Sequence, residues 1–216
     1  VEIMADAPHA HPASFPIAAR AALRAQLAEL NLAVSNVNAF TLFACGDTYH
    51  PTWIEEDAKK RKARIDHTLA AINLAAEFGA GTVSLQPGGP LIGTALSESK
   101  AAERFAAGLQ QVLPVAIQRG IRLAIEPEPG LLIQNSGEYL AFKKQFFPAQ
   151  EFIRMNCDIG HLFCVGEDPA EVIRQIPQEI AHFHLEDIAR NHVHQHLAPG
   201  KGVIDFHSIF AALEEI

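Results

Sequence analysis

The 216 residues are 49% hydrophobic and carry a formal net charge of −8, so the chain has the apolar content to bury one sizeable core and is expected to fold as a single domain over residues 1–216. The acidic balance, without a long Lys/Arg cluster, argues against a nucleic-acid partner and for small polar substrates. No apolar run approaches the roughly 20 residues of a membrane helix, no basic-then-apolar signal opens the chain, and an odd set of three cysteines (Cys45, Cys157, Cys164) fits a reducing compartment, so a cytoplasmic protein without a membrane partner is expected.

Residues 1–5 read as a short buried strand, and the Pro- and His-rich loop after it brings His9 and His11 either to a site or to the surface. Residues 17–30 place Leu23, Leu27 and Leu30 at helical spacing among helix-favouring alanines. Residues 33–38 resemble a second strand, followed by a long loop holding Cys45, Asp47, His50 and Trp53. In residues 61–78, Ile65, Leu69, Ile72 and Ala76 return every three or four positions and Gly79 supplies a helix stop. Lys59 to Lys62, with Arg64, read as the solvated start of that helix.

A strand at 82–86, the turn Pro87-Gly88-Gly89-Pro90 and a helix at 97–119 closed by Gly120 repeat the pattern. The strand at 121–126 ends in Glu126-Pro127-Glu128-Pro129-Gly130, whose prolines end ladder pairing and place the acids in a loop. A helix at 136–144, a strand at 153–158 ending in Asp158-Ile159-Gly160-His161, a helix from Asp168-Pro169 to about Gln175, a strand at 180–185 and a helix from His207 towards Ile216 complete the chain.

Six strands alternating with six helices argue for parallel strands joined by right-handed crossovers. No glycine-rich phosphate loop follows a strand, which disfavours a dinucleotide-binding sheet. Instead polar residues end one strand after another: Asn38, Gln86, Glu126, Asp158 and His184. The expected fold is therefore an α/β (β/α)8 TIM barrel, which gathers strand ends around one mouth. With about six strands present, the first and last units are expected to lie outside this chain.

The stretch from His182 to Phe206 holds five of the eleven histidines. His182 and His184 point the same way on a strand, and His192, His194 and His196 repeat that spacing, either as ligands or as a solvated loop. Glu126, Asp158 and His184, each at or near a strand end, suit one divalent cation, Mn²⁺, Mg²⁺, Co²⁺ or Zn²⁺. Gln86 is a candidate donor to a substrate hydroxyl, and Glu128 is a candidate acceptor or a solvated turn acid.

The runs LAIEPEPG, CDIGHLF with its Asp-x-x-His spacing, HFHLEDIAR and PGKGVIDF resemble the xylose isomerase-like TIM barrels, which include sugar epimerases, hydroxypyruvate isomerases, inosose-processing enzymes and the endonuclease IV branch of DNA repair. The resemblance implies that Glu126, Asp158 and His184 are metal ligands, with a fourth, a Glu, on a closing strand absent here. By similarity to the ketose 3-epimerases, His161 and Arg190 would hold substrate oxygens, Arg190 standing six residues after His184. The endonuclease IV branch, which holds three zinc ions, aligns an Asp-x-His pair with His194-Gln195-His196, an alignment compatible with a second metal held by His161, His194 and His196. In that branch Gln86 stands where a histidine ligand is expected, and His194 replaces an aspartate. The expected activity is metal-dependent isomerisation or epimerisation in carbohydrate metabolism, by proton transfer through a metal-stabilised enediolate with Glu126 as base and a small sugar-like molecule as substrate. A zinc phosphoesterase resembling abasic-site endonucleases and a non-catalytic barrel are the alternatives, and a homo-oligomer is compatible with any of them.

Overall fold

Along every strand the even-numbered side chains face one way and the odd-numbered ones the other. A computed structural model describes residues 1–216. Its strands are β1 (Glu2–Met4), β2 (Asn36–Asn38), β3 (Thr82–Leu85), β4 (Arg122–Ile125), β5 (Ile153–Asp158) and β6 (Ile180–His184). Apart from a register shift between Met155 and Asn156, where Met155 lies opposite Ile180, even positions face even: Glu2 lies opposite Asn36, Asn38 opposite Ser84, Thr82 opposite Arg122, and Asp158 opposite His184. Odd positions such as Ile3, Val37, Val83, Leu85, Leu123, Ile125, Met155 and Cys157 are buried in one contiguous apolar core. The even face is polar, a pattern that the period-two geometry of a strand makes available only when the two faces meet different environments.

The helices are α1 (Ile17–Glu29), α2 (Ala58–Phe78), α3 (Glu98–Arg119), α4 (Ser136–Phe146), α5 (Ile159–Cys164), α6 (Pro169–Gln175) and α7 (Phe206–Glu214). All strands are parallel and run in the order β1-β2-β3-β4-β5-β6. A doubly wound sheet reverses its order partway to put helices on both faces. Here every crossover steps in the same direction, which keeps the helices on the odd face and leaves the even face to curl inward. The curl is visible across the lumen, where Glu2 on β1 accepts hydrogen bonds from His182 (3.1 Å) and His184 (2.9 Å) on β6. The chain thus forms a six-stranded arc of the expected barrel, with β1 and β6 each paired along one edge. No helix is long and apolar enough to cross a membrane.

Two local differences from the sequence reading have plain causes. Helix α2 begins at Ala58 because Asp57 caps it, accepting from Lys59 N at 2.7 Å. Helix α5, not expected, starts where Asp158 Oδ1 accepts from the amides of Gly160 and His161 (2.8 and 3.1 Å), so the end of β5 turns directly into a helix.

Arg64 is a correction to the reading of α2 as starting with a solvated charged run. It is wholly buried and donates to the carbonyls of Pro51 (2.8 Å), Ala39 (3.0 Å) and Phe40 (2.9 Å), clamping both ends of the loop between β2 and α2. Trp53, from the same loop, packs on Phe105 of α3 with ring centroids 5.6 Å apart. It comes so close to α3 that a Cβ on Gly108 would lie 2.8 Å from its ring. Asp6, after β1, takes the amides of Phe43 (2.6 Å) and Ala44 (3.1 Å). These anchors hold a long irregular loop over the mouth. Replacing Arg64 by leucine removes the donors of three buried carbonyls and should lower unfolding free energy by roughly 2 to 4 kcal/mol in urea titrations. A change within about 0.5 kcal/mol would show that the loop does not depend on the clamp.

Candidate functional site

Glu126 follows β4, Asp158 ends β5 and His184 ends β6, and the curl brings all three together at the C-terminal mouth, as the sequence implies. His184 donates through Nδ1 to Glu126 Oε1 at 3.0 Å, and the same nitrogen lies 3.5 Å from Asp158 Oδ2. Both carboxylates are almost completely buried, at 4% and 3% exposure. Burial opposes charge on His184, but the Glu126 charge and its bonds to Asp158, Glu126 and Glu2 outweigh it and raise the imidazole far above its ordinary value. Burial likewise disfavours an ionised Asp158, yet His184 and His161 hold its carboxyl below the usual range. A buried acid keeps its charge only beside a cation. Glu126 Oε2 is buried with no hydrogen-bond partner, and the three side chains offer donor atoms within 4.8 Å of one another. Two carboxylates and an imidazole fit a divalent cation in both charge and donor type.

A second cluster adjoins the first. His161, three residues after Asp158 on α5, donates Nδ1 to the Pro127 carbonyl at 3.0 Å, which leaves Nε2 buried and unpartnered. His196 gives Nδ1 to Glu186 Oε2 at 2.7 Å, and its Nε2 lies 2.7 Å from His194 Nε2. The donor atoms of His161, Glu186, His194 and His196 again lie within 4.8 Å of one another. Burial, with the nearby charges of His161 and His196, lowers His194 to about 4. The hydrogen bond to Glu186 raises His196 despite its partial burial. A carbonyl or carboxylate behind an imidazole fixes which nitrogen faces a metal, and both His161 and His196 have one.

Glu186 was missed by the sequence reading. Its signal is that 184 and 186 continue the even, lumen-facing series of β6. Its Oε1 sits against Gly160, where any Cβ would collide with it, so the glycine of the Asp158-x-x-His161 turn makes room for the acid. Glu128 lies inside the site: it is 5% exposed and accepts from Tyr49 OH at 2.8 Å. Burial pushes its carboxyl up to about 7, with His161 and Tyr49 pulling against the rise and Glu126 and Asp158 adding to it.

Other expected site residues are placed elsewhere. Gln86 is fully buried, but its Nε2 donates to the Tyr49 carbonyl at 2.8 Å and it does not line the cleft; it holds the overlying loop. Arg190 is exposed, makes no hydrogen bond or ion pair, and does not line the cleft. The cause is a reversal of the chain: Asp187 pairs with Leu197 in an isolated antiparallel bridge, and Arg190 falls in the outward turn between them. His192 in that turn stacks on Phe163 with centroids 4.2 Å apart and donates to the Phe163 carbonyl at 2.7 Å, away from the other histidines. His11 stacks on His67 instead of reaching the mouth. The cleft itself has a volume of about 750 Å³, within the range of small-molecule sites.

The chain matches, over residues 1–216, the family described as xylose isomerase-like TIM barrel, and it belongs to that family. Among curated relatives, an inosose dehydratase of Clostridium perfringens is 27% identical over 127 residues, covering 51% of this chain and 42% of the relative. The match thus spans less than half of that protein's length. Two solved structures share the fold. A D-tagatose 3-epimerase-like protein superposes with a TM-score of 0.79 at 21% identity, covering 99% of this chain and 76% of the other. The IOLI protein, whose crystal structure has a zinc atom bound, gives 0.76 at 16% identity, covering 100% and 75%.

The loop that carries His194 and His196 is tied at its base by Asp187, which is 1% exposed. Its carboxylate accepts from the amides of Ile188 (2.9 Å), Gly200 (3.0 Å), Gly202 (2.7 Å) and Ile204 (3.0 Å). Burial works against that charge, but the four amides hold the carboxyl below its usual range. A depressed folded value stabilises the fold above the unfolded pKa, and this contribution is lost as pH falls through the folded value. Asp187→Ala should cost roughly 2 to 4 kcal/mol at neutral pH, and the gap between the two proteins should narrow in denaturant titrations taken below about pH 4. A gap independent of pH would contradict the ionic role.

Proposed function

We propose that the chain carries a divalent-cation-dependent isomerase or epimerase site for a small polyhydroxy carbonyl compound. The observation that supports this best is the convergence of Glu126, Asp158 and His184 on one point with Glu126 Oε2 left free. A bound Mn²⁺, Mg²⁺, Co²⁺ or Zn²⁺ would polarise the carbonyl and adjacent hydroxyl oxygens and so lower the cost of removing the proton between them. Glu126 is the residue we assign as base, its Oε2 being the oxygen not engaged by His184. Asp158 holds the opposite side through Oδ2, since its Oδ1 is committed to the start of α5. His161 and Glu128 line the same cleft, and we assign them to the substrate hydroxyls. Proton removal beside a carbonyl is also the first step open to a dehydration, so the inosose dehydratase likeness and the epimerase-like fold both support this reading.

Incubating the metal-loaded protein with candidate keto-polyols in deuterated water should introduce deuterium at the carbon beside the carbonyl. Glu126→Gln should slow that exchange by about 10² to 10⁴. No exchange with any keto-polyol, in protein shown to hold its cation, would overturn the reading.

The imidazole-rich neighbour supports a second cation, held by His161, His194 and His196 with Glu186 behind or beside them. A nitrogen-rich set suits zinc. His196→Ala should remove about one equivalent of bound metal in elemental analysis and leave the Glu126 centre loaded; unchanged stoichiometry would count against a second centre. Two adjacent cations also favour, as the second reading, a zinc phosphoesterase resembling abasic-site nucleases. Cleavage of abasic-site DNA with binding that falls steeply with salt would promote it, whereas the net charge of −8 weighs against it.

A further inference from the structure

Glu2 was no part of the expected site, yet it is the residue through which the two edge strands of the arc meet. Its carboxylate accepts from Asn36 Nδ2 (2.7 Å) and Asn38 Nδ2 (3.1 Å) on β2, and from His182 Nε2 (3.1 Å) and His184 Nε2 (2.9 Å) on β6. All four partners can approach a carboxylate only as donors. His184 must therefore carry its proton on Nε2 when it faces Glu2. A cation would bind at Nδ1 by replacing the proton that this nitrogen gives to Glu126 Oε1, at a point that Asp158 Oδ2 also faces.

We propose that Glu2 is a positioning residue, which holds His184 with Nε2 protonated and Nδ1 presented to the cation. The inference rests on the metal centre of the preceding section and deepens it by assigning the ligating nitrogen and the group behind it. An imidazole whose rear nitrogen is bonded to a carboxylate is fixed in tautomer and in ring rotation, and its ligating nitrogen is made more basic. Without Glu2 the ring could turn over and replace Nδ1 by a carbon. Asn36 and Asn38 keep Glu2 itself in place. Asn36 is bonded onward, its Nδ2 to Ser84 Oγ at 2.8 Å and its Oδ1 to Thr82 Oγ1 at 2.9 Å. The orientation of a ligand on β6 thus depends on side chains of β1, β2 and β3, none of which is one of the three ligands of the centre. Glu2, His182 and His184 also lie close enough to hold an ion by themselves, and the measurement below separates that arrangement from this one.

The test is a zinc titration of the ¹⁵N-histidine-labelled protein, read by NMR at the ring nitrogens of His184, which are assigned by their loss in His184→Gln. Zinc should shift Nδ1 while Nε2 keeps its proton. In Glu2→Ala the zinc concentration at half-change should rise about tenfold to a hundredfold. Glu2→Gln, whose amide oxygen still accepts from Nε2, should recover most of the loss, which a merely structural role would not explain. If Glu2→Ala does not fold, Glu2→Asp, which withdraws the carboxylate by one methylene, replaces it with the same expected weakening. Equal affinity in the variant and the parent, or zinc displacing the Nε2 proton, would overturn the assignment of Glu2 while leaving the metal centre standing. Zinc that moves neither nitrogen of His184 in the parent would overturn the centre itself and this inference with it.

Discussion

Glu126 and Asp158 are ionisable groups held almost entirely out of water on the polar face of a sheet, and most of the surrounding structure can be understood as what that requires. A buried carboxylate without a counter-charge costs several kcal/mol, so it either takes up a proton or finds a cation. Here the charge is met from three directions: His184 from β6, His161 from α5, and backbone amides at the start of α5 that bind Asp158 Oδ1. Removing any of these would leave its neighbours under-compensated, which is why they are arranged as a network and not as isolated pairs.

The lumen of a (β/α)8 barrel is ordinarily filled with branched apolar side chains. In this chain those positions include Glu2, Asn36, Asn38, Thr82, Ser84, Asn156, His182 and His184, joined by hydrogen bonds across β1, β2, β3, β5 and β6. Such a lining forfeits hydrophobic stabilisation on one face and leaves the apolar core to the helix side, where Val83, Leu123, Ile125 and Phe105 are fully buried. In exchange, the side chains at the mouth rest on partners of fixed direction. Apolar packing fixes position well, but it does not select which nitrogen of an imidazole is protonated.

Strand-end residues were legible in the sequence because their placement follows from two local rules: side chains alternate along a strand, and parallel strands gather their ends at one mouth. Glu126, Asp158 and His184 needed no more than that, whereas His161 came from the family resemblance, and the capped turn that carries it to the site is a finding of the structure. Arg190 illustrates where the reasoning stops. Its offset from His184 in sequence says nothing about the chain reversal at Asp187, which depends on four amides from residues as far away as Ile204. Gln86 was assigned to the correct end of the correct strand, but its partner, the Tyr49 carbonyl, comes from a long loop whose path is set by Arg64 and Trp53. Arg64 itself sits in a Lys/Arg run that has every local mark of a solvated helix start.

The two metal-suited clusters differ in a way that the loop geometry explains. Glu126, Asp158 and His184 are supplied by strand ends and inherit the rigidity of the sheet. His194 and His196 come from a loop excursion tethered at Asp187 and, through His192, at Phe163. His161 belongs to both surroundings, its Nε2 lying 3.9 Å from Asp158 Oδ2 while its ring meets His194 edge-on at 4.6 Å. The first cluster is therefore limited to the chemistry that its oxygens and one nitrogen allow, whereas the second can change with the loop. Functional variety in barrels of this architecture resides in loops on a fixed rim, and here His161 lies where the two meet.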